Sequence, residues 1–460
     1  MFTKLPSRAT QRALAGLRTN LASLSSPQAS RAASQLYPTT SERWDAAMLQ
    51  AESIVGDASS FSSLQKWVSG EFNNITKYLQ RLVGTNHPML ETAKRCTYIS
   101  EGKMGSAQAR GLTVMLTSKA VGELMKHSCT SEKQLEEVLK NQMSLAEMTE
   151  MTYSAYMIHR GVMDLKMHGL ESTTTTTTTT TGGLTEQRAD LEVSRQARAL
   201  HYGNKVSVLC GDFLLAYVMR GLGDLFSSKV VDLVASAITD FMEGEFMLLD
   251  DWRSANYLLS REARDLSRWV RRSHSTIGSL QGNTCQASLV LANIQAKLQY
   301  DARELGRNLG LAWQAHTELQ PFLRERYEPI ELPEMPPYPA FDLNCLPVLL
   351  FLRGAHDDKA RNFRLLLDEI KSPEANANAN SSSPQAKTDG RLNLINQHEH
   401  QELVNYGRLH ELVLADKNAI GETYKLIRSH STRAIKHLDS FPPSESKEVL
   451  VNICESLYQK

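Results

Sequence analysis

Two stretches of this chain carry polar and charged side chains at the one-turn spacing that builds metal or anion sites on helices. The first runs Tyr156-Met157-Ile158-His159-Arg160-Gly161-Val162-Met163-Asp164. The second runs Gly310-Leu311-Ala312-Trp313-Gln314-Ala315-His316-Thr317-Glu318-Leu319-Gln320-Pro321-Phe322. Acidic residues at i, i+1 and i+4 crowd one helix face about one turn apart. Two such sets on facing helices would supply enough carboxylates to hold several hard dications through oxygen. Here the corresponding places hold Arg160, Gly161 and Asp164, then Thr317, Glu318 and Pro321. One positive and two negative charges leave a net charge of −1, which does not gather a dication cluster. Pro321 lacks an amide donor and its ring clashes with the carbonyl four residues back, so the second helix is expected to kink or end there. His159 reads as a packed helical histidine in preference to a ligand. Arg160 reads first as the partner of a neighbouring carboxylate, and second as a guanidinium that binds an anion bidentately without metal.

Long helices are the elements that must position these residues. No proline occurs between Pro88 and Pro321, and the stretch is rich in Leu, Ala, Met, Glu and Lys, which argues for successive helices. Val206, Leu209, Cys210, Phe213, Leu214, Tyr217 and Val218 follow the spacing of a buried helix face. Val208, Leu215 and Met219 make that helix apolar nearly all round, so a central position is expected for it. No two-residue alternation bounded by turns is sustained anywhere, and no sheet is predicted. Prolines 329, 333, 336, 337 and 339 read as an extended connector. Low-complexity inserts are expected at 172–183, around the nine threonines Thr173–Thr181, and at 372–390, around an Asn-Ala repeat.

At 460 residues, 41% apolar and 22% charged, the chain has ample material for a core. Its zero formal net charge gives no global field to favour nucleic acid. No uncharged run reaches the roughly 18–20 residues needed to span a bilayer. The six cysteines show no CxxC pair and read as free thiols of a reducing compartment. Residues 1–40 are basic, rich in Ser and Ala, and precede the first acidic residue, Glu42. That composition predicts a mitochondrial transit peptide, followed by one all-α domain over 41–460.

The two stretches also resemble the segments of trans-polyprenyl diphosphate synthases that carry the DDxxD motifs. The likeness continues through Gly203-Asn204-Lys205-Val206, Gly211-Asp212-Phe213-Leu214-Leu215-Ala216, Glu243-Gly244-Glu245 and Leu346-Pro347. Asn283-Thr284 stands where active members carry Lys-Thr, and Gly102-Lys103 with Arg110 stands near their GKRxRP segment. The resemblance implies the all-α isoprenoid (polyprenyl diphosphate) synthase helical bundle. In that family the paired motifs hold magnesium against a diphosphate leaving group, where it neutralises developing charge. Against the active pattern of six aspartates, the net −1 counted above means that frame and chemistry have parted.

The pattern of departures is similar to the degenerate-subunit branch of mitochondrial decaprenyl-type synthases, which make the ubiquinone tail. That resemblance implies a non-catalytic, regulatory chain in a heteromer with a catalytic subunit (subunit 1) bearing both DDxxD motifs. It implies no metal and no catalytic residue here, with magnesium held by the partner. The degenerate first motif is then His159, Arg160, Gly161 and Asp164, and the second Gln314, Thr317, Glu318 and Pro321. Lys103, Arg110, Arg160 and Thr284 remain as candidate diphosphate contacts. The implied address is the mitochondrial matrix, with room for peripheral inner-membrane association and no nucleic-acid partner. Two rival readings stand beside this one: an independently active prenyltransferase with a reorganised site, and a helical scaffold unrelated to prenyl synthesis. Glu147 and Glu150 read either as partner contacts or as a solvated helix face. His356-Asp357-Asp358 and Asp250-Asp251 read as surface charge, because no acidic residue follows at the required spacing.

Overall fold

The computed structural model describes residues 42–55, 109–162, 184–247, 262–329, 339–357 and 404–458. Several expectations fall outside the described residues. These are the transit peptide, Lys103, Asp164, both low-complexity inserts, Asp250-Asp251, Asp358 and prolines 333–337. Among the described residues no β-strand element forms, and the all-α expectation is met.

The chain enters with α1 (Glu42–Val55), α2 (Ala109–Ala120) and the short α3 (Gly122–Ser128). Then come α4 (Glu132–Arg160), α5 (Leu184–Asp224) and α6 (Ser228–Phe246). Ser131 caps α4 by accepting the Gln134 amide, Glu132 lies in its first turn, and His159 and Arg160 lie in its last. Both ends therefore carry the charge that favours the helix dipole. Next, α7 (Leu266–Ser273) runs through one π-helical turn, His274–Gly278, into α8 (Ser279–Leu291). The 24-residue α9 (Ala296–Leu319) follows. It stops two residues before Pro321 and tightens into a 3-10 turn, Gln320–Leu323, as the proline requires. The remainder is α10 (Leu346–Asp357), α11 (Tyr406–Ala415), α12 (Lys417–Leu438) and α13 (Glu445–Ser456).

The centre of the bundle is α9, which packs against α8 and α12. Leu298, Ala302, Leu305, Leu309, Ala312, Ala315 and Leu319 form its buried stripe. The approach to α8 is backbone-close. A Cβ on Gly306 would stand 2.5 Å from the Gln281 carbonyl oxygen, and one on Gly282 would stand 2.8 Å from that of Arg303. Only glycine admits that spacing.

The central place expected for the helix around 206–218 is corrected. In α5, Val206, Cys210, Leu214 and Val218 are buried toward the protein, but Leu209 is 59% exposed, and Val208, Phe213 and Met219 are exposed as well. One face of α5 packs on α4, and the opposite apolar face has no cover among the described residues. A window within it, His201–Asp224, is by length and composition apolar enough to cross a membrane, although only 39% of it is buried. The expectation from uncharged runs missed it because Lys205, Asp212 and Arg220 interrupt the run without removing its apolar character. Cys129, Cys210, Cys285, Cys345 and Cys454 are free thiols, as expected.

Candidate functional site

The first remnant ends α4. The Tyr156 hydroxyl donates to Glu245 Oε1 at 2.5 Å, and Arg160 Nε lies 3.3 Å from the same oxygen. Arg160 is therefore the partner of a carboxylate on α6, the plainer of its two readings. Burial pushes the Tyr156 phenol well above its ordinary range, against the pull of Arg160. Gly244, beside Glu245, lets α6 approach the π turn, because a Cβ there would sit 2.7 Å from Thr276 Cγ2. His159 Nε2 lies 3.3 Å from both the Val208 carbonyl oxygen and Asp212 Oδ1. Its ring occupies the space that a side chain on Gly211 would need, with Nε2 only 2.1 Å from a Cβ built there. Gly161 is the C-cap of α4, and its amide donates to the Ile158 carbonyl at 3.0 Å.

The second remnant ends α9, and there the surviving acid is fully engaged. Glu318 Oε2 accepts from Trp269 Nε1 and from the Leu346 amide, each at 2.7 Å. Oε1 accepts from Gln314 Nε2 at 2.7 Å and from an Arg272 guanidinium nitrogen at 3.1 Å. Burial raises the carboxyl's pKa, while Arg272 and the N–H donors pull it back. Glu318 thus closes the N-terminus of α10, where Leu346-Pro347 opens the helix and a proline sacrifices no helical hydrogen bond. Thr317 keeps a buried hydroxyl with no partner among the described residues. The carbonyl of Pro321 lies 3.0 Å from His410 Nε2, and Trp313 stacks on Trp44 of α1 at 4.2 Å. Residues 342–346 link the two helix ends. The Asp342 charge acts on Arg160, the Asn344 carbonyl accepts from Arg272, and the Leu346 amide meets Glu318.

Two other candidate diphosphate contacts, Arg110 and Thr284, are buried. The Arg110 guanidinium lies 3.3 Å over the Tyr153 ring, and its side chain is buried. Beside it, Glu150 Oε1 accepts the Gly111 amide at 2.7 Å at the start of α2. The solvated-face reading of Glu150 is therefore corrected. This carboxyl is buried, and burial pushes its pKa up to about 7 against the pull of Arg110. Thr284 turns its hydroxyl back to the Leu280 carbonyl, and Asn283 Nδ2 donates to the Leu233 carbonyl, tying α8 to α6.

A hard dication needs several carboxylate oxygens free to turn toward it. The pair at these helix ends offers Glu318, with four donors already on it, and a guanidinium at Arg160. These residues do not fit a magnesium cluster. Among the described residues no group of three or more His, Cys, Asp or Glu side chains is placed to hold a metal ion. Sequence reasoning missed Trp269 and Arg272. They belong to none of the motif segments, and only an unusual density of donors before α8 could have suggested them.

The model for the polyprenyl synthetase family matches residues 192–322, which span α5 to the second remnant. The human protein named all trans-polyprenyl-diphosphate synthase PDSS2 is 30% identical over 411 residues, covering 89% of this chain and 86% of its own length. A probable mitochondrial hexaprenyl pyrophosphate synthase of Neurospora crassa is 24% identical, covering 84% of this chain and 79% of its own. The decaprenyl-diphosphate synthase subunit 1 of Schizosaccharomyces pombe is 24% identical over 259 residues, covering 54% and 61%. Among solved structures, polyprenyl synthase from Caulobacter crescentus superposes with a TM-score of 0.51 at 16% identity, covering 87% of this chain and 98% of that one. That likeness establishes the shared all-α fold. From the fold, the ordered succession of segments and the similarity to the human relative over most of both chains, the chain belongs to the polyprenyl synthetase family.

Proposed function

We propose that this chain is the non-catalytic, regulatory subunit of a heteromeric long-chain trans-polyprenyl diphosphate synthase that makes the ubiquinone side chain. The observation that carries the reading is the chemistry of the two helix ends. Both places where the family concentrates carboxylates hold groups engaged with their own fold, Arg160 on Glu245 and Glu318 on α10. The partner is a catalytic synthase subunit that retains both DDxxD motifs and holds the magnesium, while this chain binds none. The fission-yeast relative is named as a subunit 1, which agrees with a divided enzyme. Residues 1–40 act as a transit peptide, and the complex works in the mitochondrial matrix, in keeping with relatives named as mitochondrial.

The exposed face of α5 is the surface on which we place the catalytic subunit. Val208, Leu209 and Met219 stand along it, and Phe226 stands at its end. Phe226 is 94% exposed and held at a φ of 49°, a left-handed backbone that bulky residues rarely adopt. No burial among the described residues offsets that strain, whereas an aromatic seated in a partner would.

Magnesium-dependent elongation of a labelled allylic diphosphate by isopentenyl diphosphate tests the assignment. This chain, a DDxxD-bearing subunit and the co-expressed pair are compared. Turnover that requires the pair is expected, and turnover by this chain alone overturns the non-catalytic reading. Replacing Leu209→Glu and Met219→Glu is expected to weaken the pair by about tenfold or more, roughly 1.4 kcal/mol, measured by co-purification and sedimentation.

A further inference from the structure

A cavity of about 570 Å³ opens between the N-terminal half of α9 and the C-terminal half of α12. That volume lies within the range of small-molecule sites. It is remote from the degenerate helix ends. Asn308, on its floor, precedes Glu318 by ten positions on the same helix, about 15 Å along the axis.

Its charges divide into an engaged set and an open one. Asp301 is held by Lys297 Nζ at 2.7 Å and by His437 Nδ1 at 3.0 Å, and Glu304 lies 3.5 Å from an Arg307 nitrogen. Arg433 and Lys436 also line the cavity, and neither has an ion-pair partner among the described residues. Two cations are left facing a concave surface whose lining also carries the Asp439 carboxylate, so that the Lys, Arg, Asp and Glu residues of the lining sum to +1.

The floor adds a directional group. Asn308 Nδ2 donates to the Glu304 carbonyl at 2.8 Å, which fixes the amide and aims Oδ1 at His430 Nδ1, 3.1 Å away. Nδ1 must therefore carry the proton, and Nε2 keeps a bare lone pair. Burial together with Arg433 and Arg307 pushes the His430 pKa down to about 4, so the ring is neutral. His430 is 6% exposed, it lines the cavity, and Nε2 has no hydrogen-bond partner among the described residues. An acceptor that opens on the cavity and has no partner in the fold is placed to take a hydrogen bond from a donating ligand. Tyr300, 54% exposed, completes the rim with a flat aromatic face.

We infer that this cavity binds a phosphate monoester of a small hydroxylated molecule, with the phosphate on Arg433 and Lys436 and a hydroxyl donated to His430 Nε2. Both nucleotides and sugar phosphates carry that chemistry, and Tyr300 offers a stacking surface to the former. The site is independent of the subunit role proposed above, and its test does not use prenyl elongation.

The test is calorimetric titration of the full chain with AMP, ribose 5-phosphate and inorganic phosphate. Both esters are expected to bind more tightly than phosphate. AMP exceeding ribose 5-phosphate identifies a nucleotide, and equality identifies a sugar phosphate. Arg433→Ala with Lys436→Ala should weaken ester binding by about tenfold or more. His430→Gln, which can present an amide oxygen in place of Nε2, should bind better than His430→Phe. Arg433 and Lys436 are exposed, so the double variant folds, as circular dichroism would verify. Absence of binding by all three probes at millimolar concentration overturns the inference. So does equal affinity for phosphate and its esters, or unchanged affinity in the double variant.

Discussion

The surroundings of the two ends of α9 treat charged groups in opposite ways. At the C-terminal end, Glu318 is surrounded by Trp269, Arg272, Gln314 and the first amide of α10, with every contact intramolecular. Toward the N-terminal end, Arg433, Lys436 and His430 Nε2 face a cavity without partners among the described residues. At that end the Glu318 carboxylate caps a helix and pairs with an arginine. On the proposed reading, positions that would serve chemistry in a catalytic relative serve the architecture here. The capacity to bind something small has not vanished from the helix, and lies nearer its other end. Charge alone therefore does not identify a site, and what separates the two regions is whether the groups still lack partners.

The largest effect that could break this contrast is on stability. Glu318→Ala leaves the Arg272 charge buried and removes the cap of α10, so a loss of about 3–5 kcal/mol is expected from urea unfolding. A loss below about 1 kcal/mol would mean the carboxylate is not structural, and the contrast would fail.

Next in size is a pH effect at Glu150. Its carboxyl, raised to about 7 in the folded chain against 4.5 as the ordinary value, holds its proton where the unfolded chain has released it. Stability is therefore greatest below the unfolded value and falls as pH rises through that window, by about 3 kcal/mol if the whole shift is realised. Glu150→Gln keeps an acceptor for the Gly111 amide and removes the titration. Its unfolding midpoint should vary less than the wild type's between about pH 4.5 and 7. Parallel pH profiles would show that Arg110 already keeps Glu150 ionised.

The smallest expected effect sharpens the other side. Arg433→Ala and Lys436→Ala should each change stability by less than about 0.5 kcal/mol, because neither supports the fold through a partner. A loss of 2 kcal/mol or more, on the order of a buried contact, would place them among structural residues and remove the distinction between the regions.

Much of this protein is legible in its residues. The proline-free stretch before Pro321 announces long helices, and Pro321 marks the end of α9 to within two residues. The loss of paired acids from both motif segments is plain from residue identity alone. The partners of the survivors were not legible. Arg160 reaches Glu245 across 85 positions, and Glu318 reaches Leu346 across 28, through packing that no local spacing encodes. The misplacement of α5 has a related cause. An apolar face meant for a partner and one meant for the core share the same 3.6-residue period, so Leu209 read as buried although it is exposed.

By itself, the sequence determined the helical class, the succession of family segments, and the residue types that stand at their ends. These follow from periodicity, proline placement and residue type, which are local properties of the chain. Only the tertiary structure decided which surviving groups are engaged, which face of α5 is left open, and that Arg433, Lys436 and His430 line one cavity with Asn308. Those outcomes depend on pairings between residues far apart in the chain, and packing geometry, not composition, fixes them.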